Sequence, residues 1–197
     1  SHATIQNYDG IFNLKKIDTS NLKSQIEGFL ISNNGEGIII NEKITKGVLL
    51  RGYKKEEFQS LNIVKNQDFS GSKILGKSEI SISRELGYDL DLKIGDKLSL
   101  VFSSFEETLI GSLPKQKTFK ISSFYNSGFN DFDKNIAFVN IEDLENQLNL
   151  TPDSRFLEIY FKDPTDISKI KKDLINFFPN DLIYTWSDLN KPLFSAL

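Results

Sequence analysis

The chain contains no cysteine and no methionine, and its one histidine, His2, lies beside the terminus. Without cysteine there is no disulfide, zinc–thiolate site, iron–sulfur cluster or thiol nucleophile. A single terminal histidine supports neither a Ser-His-Asp triad of ordinary design nor a multi-histidine metal site. Basic charge is short as well: 24 Lys and Arg stand against 27 Asp and Glu, a net charge of −3. No broad cationic field is therefore present for general nucleic-acid binding. No run approaches the ~18 consecutive apolar residues of a membrane span. There is also no internal repeat, low-complexity tract or Pro/Gly/Ser-rich linker. The lack of Met, with Ser1 at the start, leads us to expect a processed chain or an excised piece. What remains is 197 residues, 39% hydrophobic and 26% charged. That is an ordinary globular balance for one to two domains, long enough to bury a core without staples.

Patterning divides the chain into three stretches. Near the start, Thr4 to Tyr8 reads as a strand. Asp9 to Ile17 reads as a short helix with Asp9 as its N-cap and Ile11, Leu14 and Ile17 spaced three apart. Leu22 to Ser32 and Gly37 to Leu50 read as strands, and Asn33-Asn34-Gly35 between them has the chemistry of a hairpin turn. Lys54 to Leu61 reads as helical turns. In the middle, Ile82, Leu86 and Leu90 stand at helical spacing within Ile80 to Leu90. The step Leu92 to Lys97 launches a strand over Leu98 to Phe102. Thr118 to Phe124 alternates like a half-buried strand, Ile136 to Val139 is a short buried strand, and Ile141 to Leu148 is an amphipathic helix. Towards the end, Arg155 to Phe161 reads as a strand and Asp163-Pro164 as a helix start. Ile167, Ile170, Leu174 and Phe177 form the apolar stripe of that helix, Pro179 ends it, and Leu182 to Trp186 closes as a strand. A last helix begins at Ser187-Asp188-Leu189 and carries Leu193 and Phe194.

The return to α/β rhythm after Arg155 predicts an α+β fold of two lobes. Residues 1–75 and 153–197 would form a discontinuous α/β lobe, and residues 76–152 an inserted β-rich lobe, with both termini leaving the same lobe.

Most chemically suggestive residues have an ordinary structural reading. Glu106-Glu107, with Asp131 and Asp133, lack EF-hand spacing and its glycine, so they read as solvated loop carboxylates. Gly35-x-Gly37 is too short for a phosphate loop and reads as part of a hairpin. Lys169, Lys171 and Lys172 read as the wet face of a helix, and Trp186 as a core or lobe-junction anchor. No catalytic, cofactor or metal site is expected, and nothing resembles a P-loop. The stretch from Phe105 to Lys117 is less ordinary. It joins two strands but exceeds the usual hairpin loop of about 2–5 residues. It holds the apolar run Leu109-Ile110-Gly111-Ser112-Leu113-Pro114 where a loop should be wet. Two readings stand: these side chains tuck back onto their own lobe, or they are offered to a partner.

Several motifs, taken in order, resemble a known family. They are Gly47-Val48-Leu49-Leu50-Arg51-Gly52-Tyr53, then Ile82-Ser83-Arg84-Glu85-Leu86 followed by Leu92-Lys93-Ile94-Gly95-Asp96-Lys97-Leu98. Ser127-Gly128-Phe129 precedes Asp131-Phe132-Asp133, and Trp186-Ser187-Asp188-Leu189-Asn190 precedes Leu193-Phe194-Ser195-Ala196-Leu197. The sequence resembles the periplasmic domain of the permease of the lipoprotein-releasing ABC transporter, within the MacB-like periplasmic core class. His2-Ala3-Thr4 also resembles the stretch after that family's first membrane helix.

The resemblance implies a porter-like α/β lobe and an inserted sabre-like lobe with a protruding hairpin over about 105–117. It implies a place between the first and second membrane helices, on the periplasmic face of the inner membrane of a Gram-negative bacterium. It implies no intrinsic enzyme activity, with ATP hydrolysis on a cytoplasmic ATPase subunit, a second permease subunit, and lipoprotein as cargo. The family's carrier-recruiting members bear a hook of the pattern T-x-x-G-x-hydrophobic-P-x-Q-basic. Here it is matched by Thr108, Gly111, Leu113, Pro114, Gln116 and Lys117. Thr108, Leu109, Ile110, Gly111, Ser112, Leu113 and Pro114 would form the hook, and Gln116 and Lys117 a pad, both for the periplasmic lipoprotein carrier. Leu109 stands where some members have Pro, and Lys117 where some have Arg. The competing expectation is a MacB-type efflux domain that binds an adaptor protein.

Overall fold

The computed structural model describes residues 1–15, 21–41, 44–163, 165–185 and 188. Its strands are β1 (Ala3–Gln6), β2 (Ile26–Ile40), β3 (Thr45–Tyr53), β4 (Ser70–Gly71), β5 (Glu79–Ser83), β6 (Lys97–Thr108), β7 (Gly111–Tyr125), β8 (Ile136–Asn140), β9 (Phe156–Phe161) and β10 (Leu182–Thr185). Its helices are α1 (Asn62–Lys65), α2 (Arg84–Leu90), α3 (Asn130–Asn135), α4 (Ile141–Leu148) and α5 (Ile167–Phe177). The chain divides into two units, residues 1–32 with 151–197, and residues 33–150.

In the first unit the strand order is β10-β1-β9-β2, all antiparallel, with β2 contributing its first half. Alternation puts Ala3 and Ile5 of β1, and Leu157, Ile159 and Phe161 of β9, into one core. Helix α5 covers that core with Ile170 and Leu174, one turn apart. The helix starts where Asp166 Oδ1 accepts the Lys169 N–H at 3.1 Å.

In the second unit the pairing closes on itself. The order β2-β3-β8-β5-β7 is completed by β6, which pairs with both β7 and β2. Closure through β6 pairs the edges that β2 and β7 would otherwise leave open there, while the two-residue β4 and the outer part of the β6–β7 pair remain at the edge. Ile39, Leu50, Ile80, Ile82, Leu98, Leu100, Phe119, Ile121, Ala137 and Val139 fill the resulting core, with Leu86 and Leu90 of α2 and Leu144 of α4. Each of the Val, Leu, Ile and Phe side chains among them, fully buried, contributes roughly 1.5–3 kcal/mol. Phe138 is buried among Tyr53, Phe58, Tyr125 and Phe132, with ring centroids 5.2–6.4 Å away.

Closure accounts for the main departure from expectation. The patterning groups residues 33–75 with the chain ends, as part of 1–75. They lie instead in the unit of residues 33–150, because the second half of β2 and all of β3 are needed to close its sheet.

The expected hairpin at Asn33-Asn34-Gly35 is not a turn either. All three residues, and Gly37, lie inside the continuous strand β2. The buried Asn33 donates from Nδ2 to Glu145 Oε1 of α4 at 3.2 Å. Gly35 admits the same helix closely: a Cβ there would lie 2.0 Å from Leu148 Cδ1. Turn chemistry at these positions serves helix–strand packing.

Ile80 to Leu90 splits at Ser83, whose Oγ accepts the Leu86 N–H at 3.0 Å and caps α2. Ile82 is therefore a strand residue, and its i, i+4 relation to Leu86 is coincidental. Asp9 lies in a bend, accepting the Ile11 N–H at 3.0 Å, and does not cap the expected helix, which is seen only at Leu14 and Lys15 among the described residues. Lys171, assigned to a wet helix face, pairs with Asp188 at 2.7 Å. Pro164, Trp186 and the expected last helix over Leu193 and Phe194 lie outside the described residues, as do residues 16–20 with Ile17.

Candidate docking hairpin

The stretch expected as a loop over 105–117 is two paired strands. β6 runs on to Thr108 and β7 begins at Gly111, in register Thr108↔Gly111, so only Leu109 and Ile110 lie between them. Local chemistry builds this turn. Gly111 takes φ +119°, a conformation strained for L side chains. Thr108 Oγ1 donates to the Gly111 carbonyl at 2.6 Å and accepts the Ile110 N–H at 3.3 Å. Leu109 and Ile110 keep negative φ, so bulky aliphatic residues fit there without strain. Their side chains are spent on solvent: Leu109 is 107% and Ile110 86% exposed. Leu113 and Phe105 behind them are also exposed, and Pro114 faces Phe105 across the pair.

The base of the hairpin is braced against one helix. Between Val101↔Gln116 and Phe105↔Pro114 the register shifts, so residues 102–104 oppose Lys115 alone. This bulge turns Ser104 so that its hydroxyl donates to the Gln147 carbonyl of α4. From the other strand, Lys115 Nζ donates to the Asn146 carbonyl at 2.7 Å and to Asn149 Oδ1 at 2.6 Å. Lys117 Nζ lies 2.5 Å from Asp143 Oδ1 and 5.5 Å from the Phe119 ring centroid. Lys115, a cation at the carbonyl end of α4, is favourably placed, whereas Asp143 lies in the helix's first turn. Helix α4 itself is fixed by Asn140, whose Oδ1 accepts the Glu142 N–H at 3.0 Å, and by Asn149 in the left-handed conformation. Among the described residues, no hydrogen bond or ion pair ties residues 105–114 to anything outside the hairpin.

The expected hook residues thus lie together at one end of β6 and β7. Of the expected pad residues, Gln116 is exposed opposite Val101, whereas Lys117 is half-buried with its charge committed to Asp143. The carboxylates Glu106, Glu107 and Asp133 lie in different environments. Glu106 and Glu107 are exposed on the hairpin. Asp133 is buried and accepts the Ser127 N–H at 3.1 and 3.2 Å, which holds the Ser127-Gly128-Phe129 turn. Burial, reinforced by the Asp133 charge, pushes the pKa of the nearby Tyr125 hydroxyl up and keeps it protonated. Among the described residues no three His, Cys, Asp or Glu side chains are placed to hold a metal.

Two features escaped the sequence reading. Lys115 was not singled out, because a helix end that lies 31 residues further along supplies its partner. A concavity of about 400 Å³ on the outer face of the second unit is lined by Ile38, Leu49 and Val101. The run Ile38-Ile39-Ile40 carries its signal, since consecutive strand residues face opposite sides and two of the three must look outward.

No protein-family model matches the chain. A "Lipoprotein-releasing system transmembrane protein LolC" of Xylella fastidiosa strain 9a5c is 24% identical over 168 residues, which are 78% of this chain and 40% of that protein. The protein of the same name from strain Temecula1 is 28% identical over 109 residues, 55% of this chain and 24% of its own length. The chain therefore spans less than half of the curated relatives it matches. Among solved structures, the periplasmic region of MacB from Actinobacillus actinomycetemcomitans superposes with a TM-score of 0.54 at 12% identity, covering 99% of this chain and 92% of that one. The fold is that of the MacB-like periplasmic domains. The extracellular domain of the noncanonic ABC-type transporter YknZ from Gram-positive bacteria has the same TM-score, 0.54, at 10% identity, with 93% and 100% coverage. The MacB-like fold is thus common to more than one kind of transporter, and within it the residues of the hairpin have to carry any argument about partner. Among the described residues of this MacB-like chain, no helix is long and apolar enough to cross a membrane.

Proposed function

We propose that this chain is the periplasmic domain of an inner-membrane lipoprotein-releasing ABC permease, and that its β6–β7 hairpin recruits the periplasmic lipoprotein carrier. The observation that carries the proposal is the fully exposed pair Leu109-Ile110, set at the tip by Thr108 and Gly111 and held away by a braced base. A two-residue tip of large aliphatic side chains is costly in water and stabilises nothing within the chain, whereas it gains apolar burial once a partner covers it. Thr108, Leu109, Ile110, Gly111, Ser112, Leu113 and Pro114 form the contact, with Gln116 beside them as the pad. Lys117 acts from within the fold, through Asp143. The match to relatives named LolC supports the lipoprotein-releasing branch. On this reading the domain performs no bond chemistry. ATP hydrolysis belongs to a cytoplasmic subunit, a second permease subunit completes the transporter, and lipoprotein is the cargo.

The test is binding of the cognate periplasmic carrier by the wild-type chain and by the double variant Leu109→Asp, Leu113→Asp. Loss of detectable binding with an unchanged thermal midpoint is expected, because the change removes apolar area and would bury unpaired charge at an interface, yet touches no core. Wild-type affinity in the double variant would end the proposal. The similarity to MacB favours one second reading, a domain that binds an adaptor protein. Offering a periplasmic adaptor and the carrier to the same immobilised chain separates the two.

A further inference from the structure

The outer half of the hairpin has a charge of one sign. Residues 105–114 contain Glu106 and Glu107 and no Lys or Arg. Successive residues of a strand point to opposite faces. Glu106, opposite Leu113, therefore shares a face with Leu113, whereas Glu107, opposite Ser112, shares a face with Phe105 and Pro114. Each face of the hairpin behind the aliphatic tip thus carries one carboxylate. Both are exposed, and neither has a hydrogen bond or ion pair among the described residues. The nearest cations along β7, Lys115 and Lys117, are turned to α4 and engaged there. Glu106, Glu107, Thr108, Leu109, Ile110 and Leu113 all border the shallow, open surface at the end of the hairpin.

We infer that the hairpin docks into an apolar cleft whose rim carries lysine or arginine on both sides. This rests on the proposed carrier docking and specifies the chemistry of the surface that receives the tip. Once Leu109 and Ile110 enter a cleft, Glu106 and Glu107 come level with its lips. A rim that is neutral or acidic would strip water from two carboxylates without return, whereas a basic rim pairs with both. The same charges argue against insertion of the tip into a bilayer, since anionic lipid head groups would repel it. Charges of this kind act chiefly on encounter rate and register, so their signature is a dependence on ionic strength.

The experiment measures affinity and association rate of the 197-residue chain for the cognate carrier at low and high salt. The variants are Glu106→Gln with Glu107→Gln, Glu106→Lys with Glu107→Lys, and Leu109→Asp. The expected result is an affinity loss of about tenfold or more on charge reversal, with a smaller loss for the Gln pair and most of either in the association rate. The salt dependence of the wild type should shrink in the Gln pair. Reversed and neutral variants that bind like wild type at every salt concentration, while Leu109→Asp abolishes binding, would overturn the basic rim and leave the docking itself intact. Normal binding by Leu109→Asp would overturn both. Recruitment of the wild-type chain to phosphatidylglycerol vesicles in the absence of carrier would also overturn the inference, because an anionic tip is then not selecting a basic protein rim. All of these substitutions lie on exposed residues, so thermal unfolding of each variant serves as the control for folding.

Discussion

Lys117 and Asp143 form a tight ion pair, Nζ to Oδ1 at 2.5 Å, with side-chain exposures of 21% and 6%. The second oxygen of Asp143 accepts the Ser78 N–H at 2.6 Å. Asp143 is thus a buried carboxylate whose ion-pair partner among the described residues comes from the hairpin strand, with the exposed Lys77 contributing only at longer range. Replacing Lys117 by Met removes the cation in contact with that carboxylate, a change that costs about 3 kcal/mol for a fully buried pair and less here, where the Lys117 side chain is partly exposed. The urea midpoint of the chain should fall accordingly. A midpoint equal to that of wild type would return Lys117 to the surface, as a pad residue free to meet a partner.

Gly111 tests the turn independently of its apolar cargo. A methyl group there would meet no atom within 4 Å, so Gly111→Ala introduces no clash. It does force φ +119° on an L side chain, at a cost of about 1–2 kcal/mol. The hairpin should relieve this strain locally, by reshaping 108–111, without unfolding the core. Carrier affinity should drop while the thermal midpoint stays within a few degrees. Backbone amide shifts confined to the tip would report the change directly, and shifts spread over the second unit would contradict it.

These two cases show what was legible in the chain and what was not. Thr108 and Gly111 stand out in the sequence only through the resemblance to the family's hook pattern, although the work they do in the turn is local: a hydroxyl two or three residues from its partners and a glycine at a positive φ. By contrast, Ile141 to Leu148 carries its helix in its own periodicity and caps. Lys117 is misread as surface because its partner lies 26 residues away on a different element. Asn33-Asn34-Gly35 fails for the same reason. Asn and Gly are turn formers, but a helix from a distant part of the chain needs a side-chain amide and a missing Cβ at that point. The pairing of β2 with β6 that closes the second unit is equally non-local and has no signature in either strand alone.

Gly35 therefore makes a sharp test of the strand assignment. In a hairpin turn, a β-branched residue would strain the backbone and leave α4 untouched. In the strand, Gly35→Val drives a side chain into Leu148, whose Cδ1 lies 2.0 Å from the position of a Cβ, with Leu144 Cδ1 at 3.4 Å. Overpacking of this kind costs about 1–3 kcal/mol. Pairing the change with Leu148→Ala should recover part of the loss, because the cavity made by one accommodates the other. Failure of the pair to do better than the two single variants summed would remove α4 from the explanation.

His2 gives the first unit a dependence on mild acid. Its Nδ1 accepts the Phe161 N–H at 2.8 Å, so the imidazole must be neutral on that nitrogen in the folded chain. Burial lowers its pKa below the ordinary 6.5, the positive N-terminus adds to this, and Glu27 opposes it. A folded pKa below the unfolded one means that the unfolded chain binds more protons as pH falls through 6.5. The His2 contribution is therefore complete above pH 6.5. It is lost as the pH falls from there towards the lowered folded value. Asp188 acts in a separate window. The Lys171 hydrogen bond, then those from Thr185, hold its pKa below the ordinary 3.8, so its contribution persists until the pH drops below that value. Urea unfolding of the chain at a series of pH values should show stability declining between about pH 6.5 and 5, where carboxylates of ordinary pKa are still ionised. Replacing His2 by Gln, which cannot titrate but can still accept the Phe161 N–H, should flatten the profile in that interval only. A decline of the same size in His2→Gln would assign the mild-acid dependence to another group.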